Sequence, residues 1–216
     1  HHLPDEFIPN AVAVLDPKQE NCEYPYHELG GCGLGFKFMQ GFAQKYRHEQ
    51  EVFEYLDLVA VSIASDIVPI TGENRILTYF GLIRLNENPR PGLKALKDIA
   101  GIKSDLDVSG IVFTLGPRIN AAGRVAHARG AVELLVSETE EEANLLAEKL
   151  NLKNEIRKQF DSDITGEALA MIESNEILRS AKSTVLFKNT WHKGVIGIVA
   201  ARCVEKYYRP TVILTE

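Results

Sequence analysis

Residues 116–124 read Gly-Pro-Arg-Ile-Asn-Ala-Ala-Gly-Arg, and this stretch constrains the chain more than any other. Gly116 and Pro117 are expected to break whatever precedes them, because proline lacks an N–H donor and disfavours the α region for its neighbour. Asn120, Ala121, Ala122 and Gly123 are small or turn-competent and let another surface approach closely. Arg118 and Arg124 add planar guanidinium forks suited to carboxylate or phosphate oxygens. Small backbone with two fixed cations describes an anion cradle. The same spacing also describes a helix–loop–helix corner whose arginines sit in salt bridges.

The reading tightens when residues 191–202 are set beside it. They run Trp-His-Lys-Gly-Val-Ile-Gly-Ile-Val-Ala-Ala-Arg, after the extended apolar run Thr184–Phe187. The residues from Gly194 to Ile198 look like the tight start of a helix whose first N–H groups face outward, which favours bound anions. His192 stands at that start and Arg202 lies farther along. At the beginning of the sequence, His1-His2-Leu3-Pro4 leads into Pro9-Asn10-Ala11-Val12-Ala13-Val14 and Asp16-Pro17-Lys18-Gln19. Ser65-Asp66-Ile67-Val68-Pro69 is followed by Gly72-Glu73-Asn74-Arg75. Together these segments resemble the RecJ family of single-strand-specific 5′→3′ exonucleases, within the DHH phosphoesterase superfamily. The likeness runs from residue 1 to the last residue, and the 116–124 stretch is specific to RecJ-like members.

The resemblance carries expectations about a site. His1 is similar to the first His of the DHH motif, a metal ligand, and Asp66 to a ligand from a later metal-binding motif. His2 would face the substrate, where it hydrogen-bonds the phosphate or protonates the leaving oxygen. Arg118 would contact a substrate phosphate near the metals. Asn120 and Arg124 would hold the geometry of their stretch or touch the DNA backbone. His192 and Arg202 would contact the strand from a second domain. The implied cofactor is Mn²⁺ or Mg²⁺ in a two-metal site, for which carboxylates and imidazoles are suitable ligands. The motif's own Asp, an Asp-rich motif and a further Asp would precede His1, so the metal site is expected to be incomplete. Apart from the resemblance, His1-His2 reads as a purification-tag remnant, Asp66 as a helix-terminal acid and Arg202 as one half of an ion pair. His27 and His48 read as surface or core histidines, and His127 as a surface one.

Composition bounds the function classes. The chain has 216 residues, 45% hydrophobic and 25% charged, enough for a sizeable core. No run approaches the ~18–20 apolar residues that span a bilayer, so no membrane partner is expected. Cys22, Cys32 and Cys203 lack CxxC spacing, which argues against a zinc site or disulfide framework and fits a reducing cytoplasm. A net charge of −6 argues, taken alone, against a nucleic-acid partner. The distribution argues otherwise. Arg118, Arg124 and Arg129 lie in an acid-free stretch, as do Arg179, Lys182, Lys188, Lys193 and Arg202, while the acidic excess falls between them at residues 138–176. Local basic patches decide phosphate contacts.

Along the chain, the spacing predicts a strand at residues 11–15 and helix over most of 24–46, with Leu34, Phe38 and Phe42 on one inward face. The apolar run 56–64 suits a buried helix. Helices are also expected at 74–85, with Leu77, Phe80 and Gly81 inward, at 92–100 and at 126–136. Thr139 followed by Glu142 suits a capping box, opening one long helix to about Ser174. Its apolar stripe would be Leu146, Leu150, Ile156, Phe160, Ile164, Ala168 and Ile172. About 35 residues at 1.5 Å rise make a rod of roughly 50 Å, a natural connector between domains. Strand 183–188, helix 194–207 and strand 211–214 then form a βαβ unit.

The expected fold class is α/β. Residues 1–136 would be the C-terminal part of a DHH phosphoesterase domain, 137–176 a long connecting helix, and 177–216 the first βαβ unit of a DHHA1 domain. A lone βαβ unit is a poor independent core, so the sequence reads as a piece cut at both ends. The resemblance implies hydrolysis of phosphodiester bonds in single-stranded DNA, in repair and recombination. Two other readings stay open. One is a smaller DHH–DHHA1 phosphodiesterase acting on short oligonucleotides or cyclic dinucleotides. The other is a non-catalytic nucleic-acid-binding scaffold on the same fold.

Overall fold

The long helix forms as Glu140–Glu173, in a computed structural model that describes residues 1–4, 8–125 and 128–216. Before it come α1 (Gly31–Tyr46), α2 (Glu49–Val52), a 3₁₀ turn Phe53–Tyr55, α3 (Leu56–Ser65), α4 (Gly72–Glu87) and α5 (Pro91–Ile99). There follow α6 (Val108–Gly110), a π-helical turn Ile111–Leu115, α7 (Gly116–Val125), α8 (Arg129–Leu135) and the long helix, α9. The remaining elements are α10 (Glu176–Ser180), β1 (Thr184–Phe187), α11 (Ile196–Tyr207) and β2 (Thr211–Leu214). These residues divide into two compact units, His1–Pro117 with Val132–Ala147, and Arg118–Ala131 with Glu148–Glu216. Among the described residues no helix is long and apolar enough to cross a membrane.

The first unit is built around α3, whose Leu56, Val59, Ala60, Val61, Ile63 and Ala64 are buried. Small side chains on α3 let α4 come close. At Gly81 of α4 a Cβ would lie 2.3 Å from the Leu56 carbonyl oxygen, so glycine alone permits this crossing. Phe36 and Ala43 of α1 share the same core with Leu56, Val59 and Ile63. The stripe expected to face inward does so only at Leu34, which packs against this core. Phe38 and Phe42 are 65% and 57% exposed, because α1 is apolar on two faces and the face with Gly33, Phe36 and Ala43 is the one buried. Phe38 and Phe42 instead line a cavity of about 470 Å³ with Val14 and Leu15. Phe80, also expected inward, borders another of about 640 Å³ with Phe36, Phe53 and Ile76. Residues 11–15 form no strand: the described sheet contains β1 and β2 alone, and a strand without a ladder partner leaves its backbone groups to water.

The expected break at Gly116-Pro117 is also absent, and its physical reason is the π turn. The Gly116 N–H donates to the Ile111 carbonyl, five residues back. Widening the turn just before Pro117 relieves the clash a proline ring makes with the carbonyl four residues earlier. Residues 116–124 are therefore helical, neither loop nor corner. Ala121 and Ala122 are fully buried, so their small size serves close packing and does not shape an open cradle.

An ion pair ties α3 to the start of α5. The Asp57 side chain is fully buried and the Arg90 side chain is 17% exposed. Arg90 donates from Nε to Asp57 Oδ2 at 2.9 Å and from a terminal nitrogen to Oδ1 at 2.7 Å. The Leu58 N–H also donates to Oδ1, and Arg90 reaches the Glu54 carbonyl. The carboxylate is thus matched on both oxygens, the condition under which a buried charge is tolerated.

The second unit carries the βαβ pattern. Strands β1 and β2 are parallel, with Thr184 opposite Thr211 and Phe187 opposite Leu214. Leu186, Ile213, Val199 and Cys203 form its core with Ile164, Ala168 and Ile172 of α9. As expected, the Thr139 hydroxyl caps α9 by accepting from the Glu142 N–H. The apolar stripe of α9 needs correction in its middle. Ile156 and Phe160 are exposed at 42% and 37%, and Asn154 and Asp161 are buried in their place. Helix α10, unforeseen, begins where the Asn175 side chain accepts from the Leu178 N–H. Arg209 fastens it by donating to the Leu178, Arg179 and Ala181 carbonyls and to Thr184 Oγ1. Trp191 is buried, and its indole N–H donates to Glu167 Oε2 at 2.7 Å.

Two outcomes follow from this packing. Asp57→Ala should lower the unfolding free energy by about 3–5 kcal/mol, since Arg90 is then left without its partner, as read by urea unfolding followed by circular dichroism. Hydrogen bonds from Lys188 and then Trp191 hold the Glu167 carboxyl below its ordinary value of 4.5. Folding therefore favours the ionised form, so the contact persists at neutral pH and is lost as pH falls through the lowered value. Emission of Trp191, the sole tryptophan, should show a step below pH 4.5 that Glu167→Gln removes.

Candidate functional site

The residues singled out in the sequence fall into two groups, each within one unit. In the first, Asp66 caps the C-terminus of α3, its N–H donating to the Ser62 carbonyl at 2.9 Å. The chain then turns sharply, with Ile67 at a φ of +55°. A left-handed conformation costs a β-branched residue roughly 1–2 kcal/mol, and strain of this kind is characteristic of functional sites. Beyond the turn, His1 Nδ1 lies 3.7 Å from Asp66 Oδ2. The His1 ring packs on the first turn of α1, where a Cβ at Gly31 would sit 3.2 Å from its Cδ2 atom. His2 packs against His1 with ring centroids 4.1 Å apart and the planes tilted by 41°. The His1 backbone nitrogen is 3.8 Å from Asp16 Oδ1, and Asp16 is a neighbour to which the sequence pattern assigns no role.

This group fits one side of a divalent cation. Two donors each about 2.1 Å from an ion lie roughly 3–4 Å apart, which the His1–Asp66 separation matches. Three or more donors are needed to hold such an ion firmly. Among the described residues no group of three or more His, Cys, Asp or Glu side chains could hold a metal. His1 and Asp66 alone are two donors, short of that number.

In the second unit the two motifs of the sequence meet. At Gly194 a Cβ would lie 2.0 Å from the Arg124 carbonyl oxygen, and Arg124 donates from a terminal nitrogen to the Gly194 carbonyl at 3.2 Å. The end of α7 is thereby seated on the turn that carries His192. The Gly194 N–H donates to His192 Nδ1 at 3.0 Å, which assigns the ring proton to Nε2. The His192 ring lies nearly parallel to Phe160 of α9, with centroids 5.1 Å apart and 16° between planes. One residue on, buried Asp161 accepts from Arg202 at 2.8 Å. Arg118 donates from Nε to Asn151 Oδ1 at 2.9 Å, and Asn120 is exposed on α7.

Several expectations change. Helix α11 starts at Ile196, and the Val195 and Ile198 N–H groups already donate to the His192 and Val195 carbonyls. The outward-facing N–H groups expected near Gly194 are therefore largely engaged. Arg202 takes the ion-pair role that stood as its alternative, with Asp161, and Lys188 of the basic stretch pairs with Glu167. His48 pairs with Glu51 on the surface, and His127 lies outside the described residues. Phe160 and Asp161 had no assigned function. Their signal was a polar residue interrupting the apolar stripe of α9 at a position that must face inward.

No family model matches the chain. It is similar to the single-stranded-DNA-specific exonuclease RecJ of Bacillus subtilis, 37% identical over 215 residues, covering 99% of this chain and 26% of that protein. The protein of the same name from Salmonella typhimurium is 36% identical over 228 residues, covering 98% of this chain and 39% of that one. The chain thus spans about a quarter to two fifths of the length of the curated relatives it matches. Among solved structures, RecJ in complex with Mn²⁺ from Thermus thermophilus superposes with a TM-score of 0.87 at 28% identity, covering all of this chain and 32% of that one. An exonuclease RecJ bound to manganese gives 0.85 at 28% identity, covering all of this chain and 53% of that one.

The contact at Gly194 can be tested directly. Gly194→Ala should destabilise the second unit by about 1–3 kcal/mol, the usual range for overpacking, read by urea unfolding at Trp191. Gly197→Ala, where a Cβ meets nothing within 4 Å, should be neutral or stabilising by about 0.5–1 kcal/mol.

Proposed function

We propose that this chain, which is homologous to the RecJ exonucleases over nearly its whole length and has their α/β fold, supplies part of a metal-dependent exonuclease. The enzyme would hydrolyse phosphodiester bonds from the 5′ end of single-stranded DNA, in the cytoplasm, during repair and recombination. Residues 1–136 then belong to a DHH domain, 137–176 to a connecting helix and 177–216 to the opening of a DHHA1 domain. The observation that carries the reading is the approach of His1 to Asp66, 3.7 Å apart in space though distant in sequence.

Cleaving a phosphodiester requires an activated water, neutralised phosphoryl oxygens and a stabilised leaving oxygen. Mn²⁺ or Mg²⁺ held in part by His1 and Asp66 supplies the first two when bound. His2, packed beside His1, would hydrogen-bond the phosphate or protonate the leaving oxygen. Arg118 takes a substrate phosphate, with its guanidinium direction set by Asn151. Asn120, Arg124, His192 and Arg202 bind the strand. For His192 the Nε2–H is the donor, because Nδ1 is occupied by the Gly194 N–H.

Two donors hold a divalent ion weakly. Calorimetric titration of the purified chain with Mn²⁺ should therefore show weak binding that Asp66→Ala, an exposed substitution, abolishes. The chain by itself should not digest 5′-phosphorylated single-stranded DNA in Mn²⁺. An unchanged isotherm in Asp66→Ala would overturn the assignment of the metal-facing pair.

A further inference from the structure

We propose that Phe160, stacked on His192, is a seat for an unpaired nucleobase, a contact that holds the strand by its bases where the arginines of the second unit hold its phosphates. The inference rests on the reading of that unit as strand-binding and assigns Phe160 a role in it.

The position of Phe160 is unusual for its chemistry. It lies in the middle of α9, the next residue is buried, and yet its own side chain is 37% exposed. Turning it inward would satisfy a greasy ring, but the inward position is taken by Asp161, which is held by Arg202. The ring finds one flat partner, His192, at 5.1 Å and 16°. That partner is itself immobilised. Its Nδ1 accepts from the Gly194 N–H, and the turn that carries it lies between buried Trp191 and buried Val195. The pair is therefore a preformed aromatic surface and needs little ordering when a ligand arrives.

Its surroundings say which flat ligand fits. Arg202 is fixed by Asp161, adjacent to Phe160. Arg124 is fixed by Gly194, two residues from His192. Lys193 is exposed between them in sequence, and Arg157 stands one helical turn before Phe160 on α9. Asp163 stands one turn after Phe160 as Arg157 stands one turn before it, so the cationic excess comes from Lys193 and Arg124. A π face beside such an excess suits a group that is both flat and polyanionic along its chain, which is a nucleic-acid strand. Stacking of this kind is indifferent to base identity, since every base has a π face. It is closed to a duplex, whose bases already have both faces stacked. The seat thus adds a preference for unpaired strand that phosphate contacts alone cannot give.

The test compares strands that differ only in their bases. Fluorescence anisotropy of the purified chain at low salt should show a labelled thymidine 12-mer binding at least about fivefold tighter than an abasic 12-mer of equal phosphate number, the lower range for one stacked base. Phe160→Leu, which keeps apolar bulk over the Asp161–Arg202 pair, should remove that ratio and leave abasic binding unchanged. Phe160→Trp should keep or raise it. Trp191 emission in Phe160→Leu checks that the unit remains folded. Equal affinity for the two strands in the unaltered chain would overturn the seat while leaving phosphate binding in place, as would an unchanged ratio in Phe160→Leu. Absence of binding to either strand would overturn both the seat and the strand-binding role of this unit.

Discussion

A carboxylate shut away from water in the middle of a long helix sets the arrangement of the second unit. Asp161 is 4% exposed, and a lone charge in such a place costs several kcal/mol. The chain meets that cost with Arg202, which reaches across from α11. Once Arg202 is committed, the rotation of α11 about its axis is fixed. Val199, one turn before it, and Cys203, the next residue, enter the core with Ile164, Ala168 and Ile172. The same rotation brings the turn before α11 alongside α9, where His192 meets Phe160. One ion pair therefore specifies a packing arrangement and an aromatic contact together, beyond any net stabilisation it contributes.

Glycine plays the complementary part, where positions are decided by what cannot be present. Arg124 reaches Gly194 because no Cβ stands between the Arg124 carbonyl and the Gly194 backbone. His1 rests on the start of α1 because residue 31 has no side chain. In both places a candidate side chain is held by backbone contact and shape, with little mobile side chain involved. Such positioning suits groups that must meet a phosphate in a defined direction, since geometry fixed before binding need not be ordered during it.

Much of this fold was legible because it rests on period and capping. Thr139 and Glu142 marked the start of α9, and the run at residues 184–187 its strand, through local rules that tertiary contacts did not override. The failures share one cause. In α1 and α9 more than one face was apolar, and composition alone favoured the larger side chains: Phe38 and Phe42 over Gly33 and Ala43, Ile156 and Phe160 over Asn154 and Asp161. Burial rewards fit to the neighbouring surface and satisfaction of polar atoms, and neither is visible until the neighbour is known. The stretch at 116–124 failed differently. Pro117 does break an α-helix, but a π turn at Ile111–Leu115 removes the clash by one added residue, an escape that the sequence pattern does not signal. Among the candidate residues, an ion pair stood open as the alternative for Arg202, but its partner Asp161, lying on another helix, was not legible.

Those partners separate the arginines by charge. Arg202 is held by a carboxylate, so the pair presents little net charge beyond the dipole between them. Arg124 is held through a carbonyl oxygen, an acceptor without charge, and its positive charge is not cancelled by that contact. Two guanidinium groups that look equivalent in sequence thus differ in what they offer a phosphate. Counterion release on binding follows the charge that a residue brings to the strand. Arg124 thus keeps its full charge in its contact, while Arg202, half exposed, also braces α9 against α11 through Asp161. An acidic chain can in this way leave a guanidinium charge uncancelled, through which of its basic residues its own carboxylates neutralise.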